Sequence, residues 1–473
     1  MDVKDVARSI TISIRALYAA SSSTQLARYA TVGSAKTQVT TLPNGFTIAT
    51  ENNPAVKTAT VGVWVNSGSR SETARDNGSA HFLEHMAFKG TSSRSQHDIE
   101  LQIENIGAHL NAYTSREQTV YYAKALEKDV PQAVEILSDI LQNSTLSESA
   151  IERERDVILR EQEEVEKVME EVVFDHLHAT AFQNSSLGYT ILGPRENILS
   201  ITKSDLEQYI SRNYTADRMV LVGAGGIKHE DLVKLAEKHF GALKTSQSPV
   251  ALATRKDAPP RFWGSDLRVR NDDIPQAHIA LAVQGVGWTD PNYFSMLTLQ
   301  SLIGNWDRSL GAPNNVSSRL SQIVSKHGLA NSFMSFNTSY HDTGLWGIYM
   351  TSENVTQLDD LIHFTLKEWA RLSTSVTEAE VERAKQQLKA SLLLNLDGTT
   401  AVAEDIGRQI LTHGKRMEPA EVAAAIDAID ASTVRKAAYE RLWDQEVAAV
   451  GVGPIQGMPD YMRIRSAMSW MRA

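Results

Sequence analysis

Two stretches of this chain read almost alike. MVLVGAGGI, Met219 to Ile227, is an apolar run that closes on glycines, and VAAVGVGPI, Val447 to Ile455, reproduces it 228 positions later (447 − 219). Each follows a helix-like segment, SDLEQYISRNY (Ser204 to Tyr214) and STVRKAAYERL (Ser432 to Leu442), whose opening Ser and Thr residues suit an N-cap. TLSESAIERERDVILRE, from Thr145, matches SVTEAEVERAKQQLKAS, from Ser375, at an offset of 230 (375 − 145). AHLNAYTSREQTVYYAKA, from Ala108, is echoed by ANSFMSFNTSYHDTGLWGIYM, from Ala330. TVGVWVNSGSR, from Thr60, is echoed by HIALAVQGVGW, from His278, each read as an alternating strand that breaks at glycine and leads into a helix. A repeat of this length constrains the architecture more than any local motif can. It predicts an α+β protein of two homologous α/β sandwich domains, each a mixed sheet with helices packed on one face. The expected domains are 36–245 and 265–473, joined by a linker at 246–264 that is rich in Ser, Pro and charged residues.

Residues 1–35 stand apart from both copies. They carry Lys4, Arg8, Arg15 and Arg28, acids only at Asp2 and Asp5, and apolar surface at Ile10, Ile12, Ile14 and Leu17. That is the composition of a mitochondrial transit peptide, with Arg28-Tyr29-Ala30 as a removal site. Elsewhere composition acts by exclusion. The chain has no cysteine, so any metal must rest on His, Asp or Glu. Its net charge of -10 argues against a nucleic-acid partner and suits a cationic one. No apolar run approaches the roughly 20 residues of a membrane helix.

The stretch HFLEHMAFKG, His81 to Gly90, holds two of the chain's 13 histidines. Asn77-Gly78-Ser79 supplies a turn and a cap before it, and Ala80 to Phe88 are good helix formers. His81 and His85 are one turn apart and project from one face, where both can bind a single zinc ion. Glu84 shares that side, close enough to exchange a proton with water at the metal. The pattern is H-x-x-E-H, the inverse of H-E-x-x-H. Zinc needs a further protein ligand, and IERERDVILREQEEV offers Glu154 and Glu161 on one stripe. Arg153, Arg155 and Arg160 leave a solvated, salt-bridged helix as the rival reading. The duplicate separates the two: at the 230 offset Glu154 becomes Ala384 and Glu161 becomes Ser391, and YFSMLTLQSLIG, opposite the His81 helix, has neither His nor Glu. The second copy kept the fold and none of the candidate ligands, so the chemistry belongs to the first domain.

Together HFLEHMAFKG, ENIGAHLNAYTSREQTVYYAK, IERERDVILRE and FDHLHATAFQNSSLGYTILGP resemble the pitrilysin-type, or inverzincin, zinc peptidases, and among them the catalytic subunits of mitochondrial processing peptidases, from about residue 38 onward. The resemblance implies that His81, His85 and Glu161 bind one zinc ion per chain, that Glu84 is the general base, and that Glu154 orients a ligand. It implies a zinc metalloendopeptidase of the mitochondrial matrix, or of the matrix face of the inner membrane, that removes presequences from imported precursors. Glu171 and Asp175, four apart on what reads as one continuing helix, would receive the arginine of a basic presequence. HLNAYTSRE is expected to be an edge strand that pairs with extended substrate, with Asn111, Ala112 and Tyr113 as the contact segment. Phe88 would line an apolar pocket beyond the cut. The family works as a heterodimer with a related α subunit that carries a glycine-rich loop; here NWDRSLGAPNNVSSRL, Asn305 to Leu320, stands at that place. The alternatives are a core subunit of respiratory complex III, alone or as a dual role, and a peptide-degrading relative, which would carry four such domains.

Overall fold

The computed structural model describes residues 36–249, 252–253, 258–310 and 318–469. The expected transit segment 1–35, with Arg28-Tyr29-Ala30, lies outside the described residues, as does 311–317 of the Asn305–Leu320 stretch.

Each half builds a six-stranded mixed sheet. In the first, β1 (Gln38–Thr41), β2 (Thr47–Asn52), β3 (Thr58–Val65), β4 (His109–Thr114), β5 (Thr119–Leu126) and β6 (Met219–Gly225) stand in the order β1-β2-β6-β3-β5-β4. In the second, β7 (Ser265–Arg270), β8 (Ala277–Gly285), β9 (Asn305–Asp307), β10 (Ser332–Ser339), β11 (Gly344–Ser352) and β12 (Ala448–Gly453) stand as β7-β12-β8-β11-β10-β9. The repeated MVLVGAG and AAVGVG are β6 and β12. Each lies parallel to one neighbour, β2 or β7, and antiparallel to the other, β3 or β8. The copies differ at their edges. The second sheet adds β9 beyond β10, pairing Trp306 with Phe333, whereas β4, the counterpart of β10, ends its sheet with no further strand among the described residues.

Each sheet carries its own helices on one face, as the repeat predicted. On the first sheet, Val130–Gln142 and His229–Phe240 bury Val134, Leu137, Leu232 and Phe240. The opposite face is covered from the other half. The second-half helix Thr399–His413 lays Ala403, Ile406 and Ile410 on Trp64, Val120 and Val222. The first-half helix Met169–Ala181 returns the arrangement, packing Val173 and Leu177 against Ala280, Ala282 and Val450. The two helices start at equivalent places in the repeat (399 − 169 = 230). Because both faces are covered, β3 is buried from Ala59 to Val65, and the alternating pattern expected for it and for β8 is absent. Each fully buried aliphatic side chain contributes about 1.5–3 kcal/mol, so the reciprocal exchange is a substantial tie between the halves. Gly407 makes it geometrically possible: a Cβ there would lie 2.4 Å from Cδ2 of Trp64.

A buried ionic contact adds to the tie. Arg70 donates to Glu117 at 2.7 Å and to both carboxylate oxygens of Asp342 at 2.8 Å, and the His341 amide donates to Glu117 at 2.9 Å. The donors and acceptors satisfy one another, which is the condition for burying charge without a large penalty.

Two local expectations need correction. The helix carrying Glu161, Glu148–Val165, does not continue into the segment with Glu171 and Asp175. It ends in a turn, Val168 is extended, and a separate helix begins at Met169, redirected onto the second sheet. The helices Lys203–Asn213 and Ala431–Arg441 are capped by Thr202 and Asp430, two positions before the segments that the repeat marked out. No helix among the described residues is long and apolar enough to cross a membrane.

Candidate metal centre

His81, Glu84 and His85 lie on the helix Ser79–Met86, which buries Phe82, Leu83 and Met86 and is fixed at its start by an unexpected residue. The N-cap, Gly78, is left-handed at φ 103° and offers no side chain. The capping acceptor is Glu72, whose carboxylate receives the amides of Ala80 at 2.7 Å and Gly78 at 3.0 Å and the side-chain amide of Asn77 at 2.8 Å. Ser79 Oγ is buried with no partner, so the cap expected of Asn77-Gly78-Ser79 comes instead from a loop residue. Burial pushes the Glu72 carboxyl up to about 8 against the pull of those three donors. Nothing in the sequence pointed to Glu72, because two of its three partners, the Gly78 and Ala80 amides, are backbone groups.

The helix Glu148–Val165 starts at Ser147, whose side chain accepts the Ala150 amide. It is held down by Ile151, Ile158 and Leu159. This seating brings Glu161 between the two imidazoles: His85 Nε2 lies 3.0 Å from Glu161 Oε2, and His81 Nε2 lies 3.6 Å from Glu161 Oε1. One ligand atom from each of His81, His85 and Glu161 falls within 4.8 Å of the others. The rings stand 4.7 Å apart and 68° to one another. Among the described residues no second set of three such groups converges. The two imidazoles hold the Glu161 carboxyl far below the usual carboxylate range. Burial works against charge on His85, but its bonds to Glu161 and Glu154 outweigh that and raise its pKa. Two ring nitrogens and one anionic oxygen, with no thiolate, form a donor set that fits a zinc-type divalent cation with a position left open.

Glu154 reaches the other nitrogen of His85, Nδ1, at 3.4 Å, and its second oxygen meets Lys89 at 2.7 Å. It therefore acts on the orientation of His85 and not on the convergence point. Glu84 is partly exposed beside these groups, and its charge is felt by His85 and by the buried hydroxyls of Tyr121 and Tyr214.

The remaining expected site residues divide. Phe88 is half-buried against the first core. Asn111, Ala112 and Tyr113 lie on the outermost strand, β4. The Ala112 amide donates to the Asn111 side chain at 2.8 Å, and the Tyr113 hydroxyl donates to Glu404 of the second half. Glu171 is exposed. Asp175 already accepts a guanidinium bond from within the chain, from Arg116 at 2.6 Å, a partner that helical spacing could not reveal.

In the second half the corresponding place holds no ligands. Helices Tyr293–Ile303 and Glu378–Leu394 border a cavity of about 620 Å³, lined by Tyr293, Phe294, Leu297 and Leu392 together with charged Lys389, Asp405 and Arg408; Ala384 and Ser391 do not line it.

Comparison with known proteins followed the same division. A family described as insulinase (peptidase family M16) matches residues 47–195, and one described as the peptidase M16 inactive domain matches residues 200–388. The mitochondrial-processing peptidase subunit beta of Lentinula edodes is 64% identical over 92% of this chain and 94% of its own length. The protein of that name from Homo sapiens is 53% identical over 95% of this chain and 91% of its own. Among solved structures, a chain of "Complex III2 from Candida albicans, Inz-5 bound" is similar with a TM-score of 0.82, at 30% identity, over 92% of this chain and 100% of that one.

Proposed function

The chain belongs to the M16, or insulinase, family of peptidases, and on that premise we propose that it is the metal-bearing, β-type subunit of a mitochondrial processing peptidase, which removes presequences from imported precursors. The observation that carries this reading is the convergence of His81, His85 and Glu161 in the first half, where the second half has Ser391 at the place of Glu161 and no His or Glu on helix Tyr293–Ile303. The proposed ion is zinc, one per chain, and the proposed compartment is the matrix.

A zinc ion held by these three residues would supply Lewis acidity at the scissile carbonyl and bring water within reach of deprotonation near neutral pH. Glu84 takes the proton from the attacking water and returns it to the leaving amine. Glu154 accepts from His85 Nδ1, which keeps Nε2 turned to the centre, while Lys89 balances the Glu154 charge. An extended substrate adds to the open edge of β4, and its carbonyl replaces Asn111 as the acceptor of the Ala112 amide. Main-chain pairing of this kind accommodates many sequences. Glu171 and Asp175 receive a presequence arginine, with Asp175 exchanging Arg116 for the incoming guanidinium. Phe88 borders the apolar side chain beyond the cut.

A related α subunit is the proposed partner. The structural likeness to a complex III chain supports a second role as a core subunit, which co-purification with haem-bearing complexes would test. For the peptidase itself, Glu84→Gln in the heterodimer should retain its metal and lose about 10²–10⁴-fold in turnover of a precursor. Undiminished cleavage by that variant would remove Glu84 as the base.

A further inference from the structure

A second cleft, of about 560 Å³, opens where the first sheet meets the second half. Trp64, Tyr113 and Tyr122 line it from the sheet, Thr400 and Glu404 from the start of the exchanged helix, and Asp397 from just before it. The pleat of β4 directs its residues alternately to the two faces. Leu110 and Ala112 pack toward the core beneath the metal-binding helix, while Tyr113 joins Tyr122 and Trp64 on the opposite face. Asn111, which also alternates with Ala112, donates to the Tyr122 hydroxyl at 3.3 Å. Glu404 is held in place by the Trp64 ring N–H at 3.2 Å and by the Tyr113 hydroxyl. Asp397 is exposed on the turn before the helix.

The charged groups that line this cleft are both carboxylates, and the other large groups are aromatic rings. Ring faces attract cations, and carboxylates receive guanidinium or ammonium groups by charge-assisted bonds. The cleft also lies along the strand whose outer edge is open. We propose that it is a subsite for a cationic side chain, lysine or arginine, of a peptide paired along β4.

The inference rests on the strand addition proposed above and deepens it. Successive side chains of an added strand point to opposite faces of the sheet. Residues of one parity then face the metal centre, and residues of the other parity face the Tyr122–Asp397 cleft. Basic residues are thereby read at alternate positions by side-chain chemistry, although the pairing itself reads none. On the second sheet β9 pairs with Ser332, Phe333 and Met334 of β10, the edge that stays open on β4 among the described residues.

The test uses the full chain with its partner subunit and a set of synthetic precursor peptides. A single arginine is moved one position at a time through an otherwise constant flank, with an arginine-free peptide as reference. The parent should favour arginine at positions two apart. Asp397→Asn should raise KM about threefold to tenfold at those positions, with kcat unchanged and the intervening and arginine-free peptides unaffected. Asp397→Glu should restore the parent values. A change that is equal at every position, or absent at all of them, overturns the subsite alone. Failure of the parent to cleave any peptide would instead sink the processing reading, and the subsite with it.

Discussion

At the scale of single residues, chemistry was readable where it is encoded by spacing, and hidden where it depends on a distant partner. His81, Glu84 and His85 sit within five positions, so helix geometry alone puts them together. Glu161 needed the duplicate, in which Ser391 stands at its place. Glu72 and Arg116 left no such trace: one caps through backbone amides, the other occupies Asp175 across 59 positions. Glu72 also carries a prediction. Its carboxyl titrates near 4.5 when exposed and at about 8 when buried, so the native state keeps a proton that the unfolded chain releases. Its contribution to stability is full below pH 4.5 and is lost as pH rises toward 8. Glu72→Gln, which cannot ionise, should therefore lose less thermal stability than the parent between those limits. Parallel melting curves for the two proteins across that window would contradict the assignment.

At the scale of elements, the repeat gave two mixed sheets with helices on one face of each but neither the strand order nor what the other face meets. The apolar runs of β3 and β8 were read as alternating because a lone sandwich needs only one buried face. The exchange of Met169–Ala181 and Thr399–His413 supplies the second cover, and it joins segments hundreds of positions apart. Its tightest point is Gly407 over Trp64. A methyl group there must displace either the indole or the helix, since overpacking a full core costs about 1–3 kcal/mol. Gly407→Ala should lower the denaturant midpoint by that order, whereas the same change at an open helix position would add stability. An unchanged or raised midpoint would show that the helix is not seated on Trp64. The free edge of β4 belongs to this scale too. The sequence placed it as an edge strand, and the short NWD strand of the second half shows an edge cover that β4 does not have among the described residues.

For the whole molecule, one design was copied and then divided in labour. Both halves keep five strands in one order, β2-β6-β3-β5-β4 and β7-β12-β8-β11-β10, while the candidate ligands converge only in the first among the described residues. The second half supports the first: its helix covers the first sheet, its Asp342 binds Arg70, and its Glu404 accepts from Tyr113 beside the open edge. A net charge of -10 over such a body favours basic substrates as a class. The account stands or falls on a single metal centre made by three named side chains. Elemental analysis of the purified chain, with Glu161→Gln alongside, tests this most directly. It should find one zinc per parent chain and little or none in the variant, with both folded by circular dichroism. Equal metal in the two proteins, or two ions per parent chain, would contradict it.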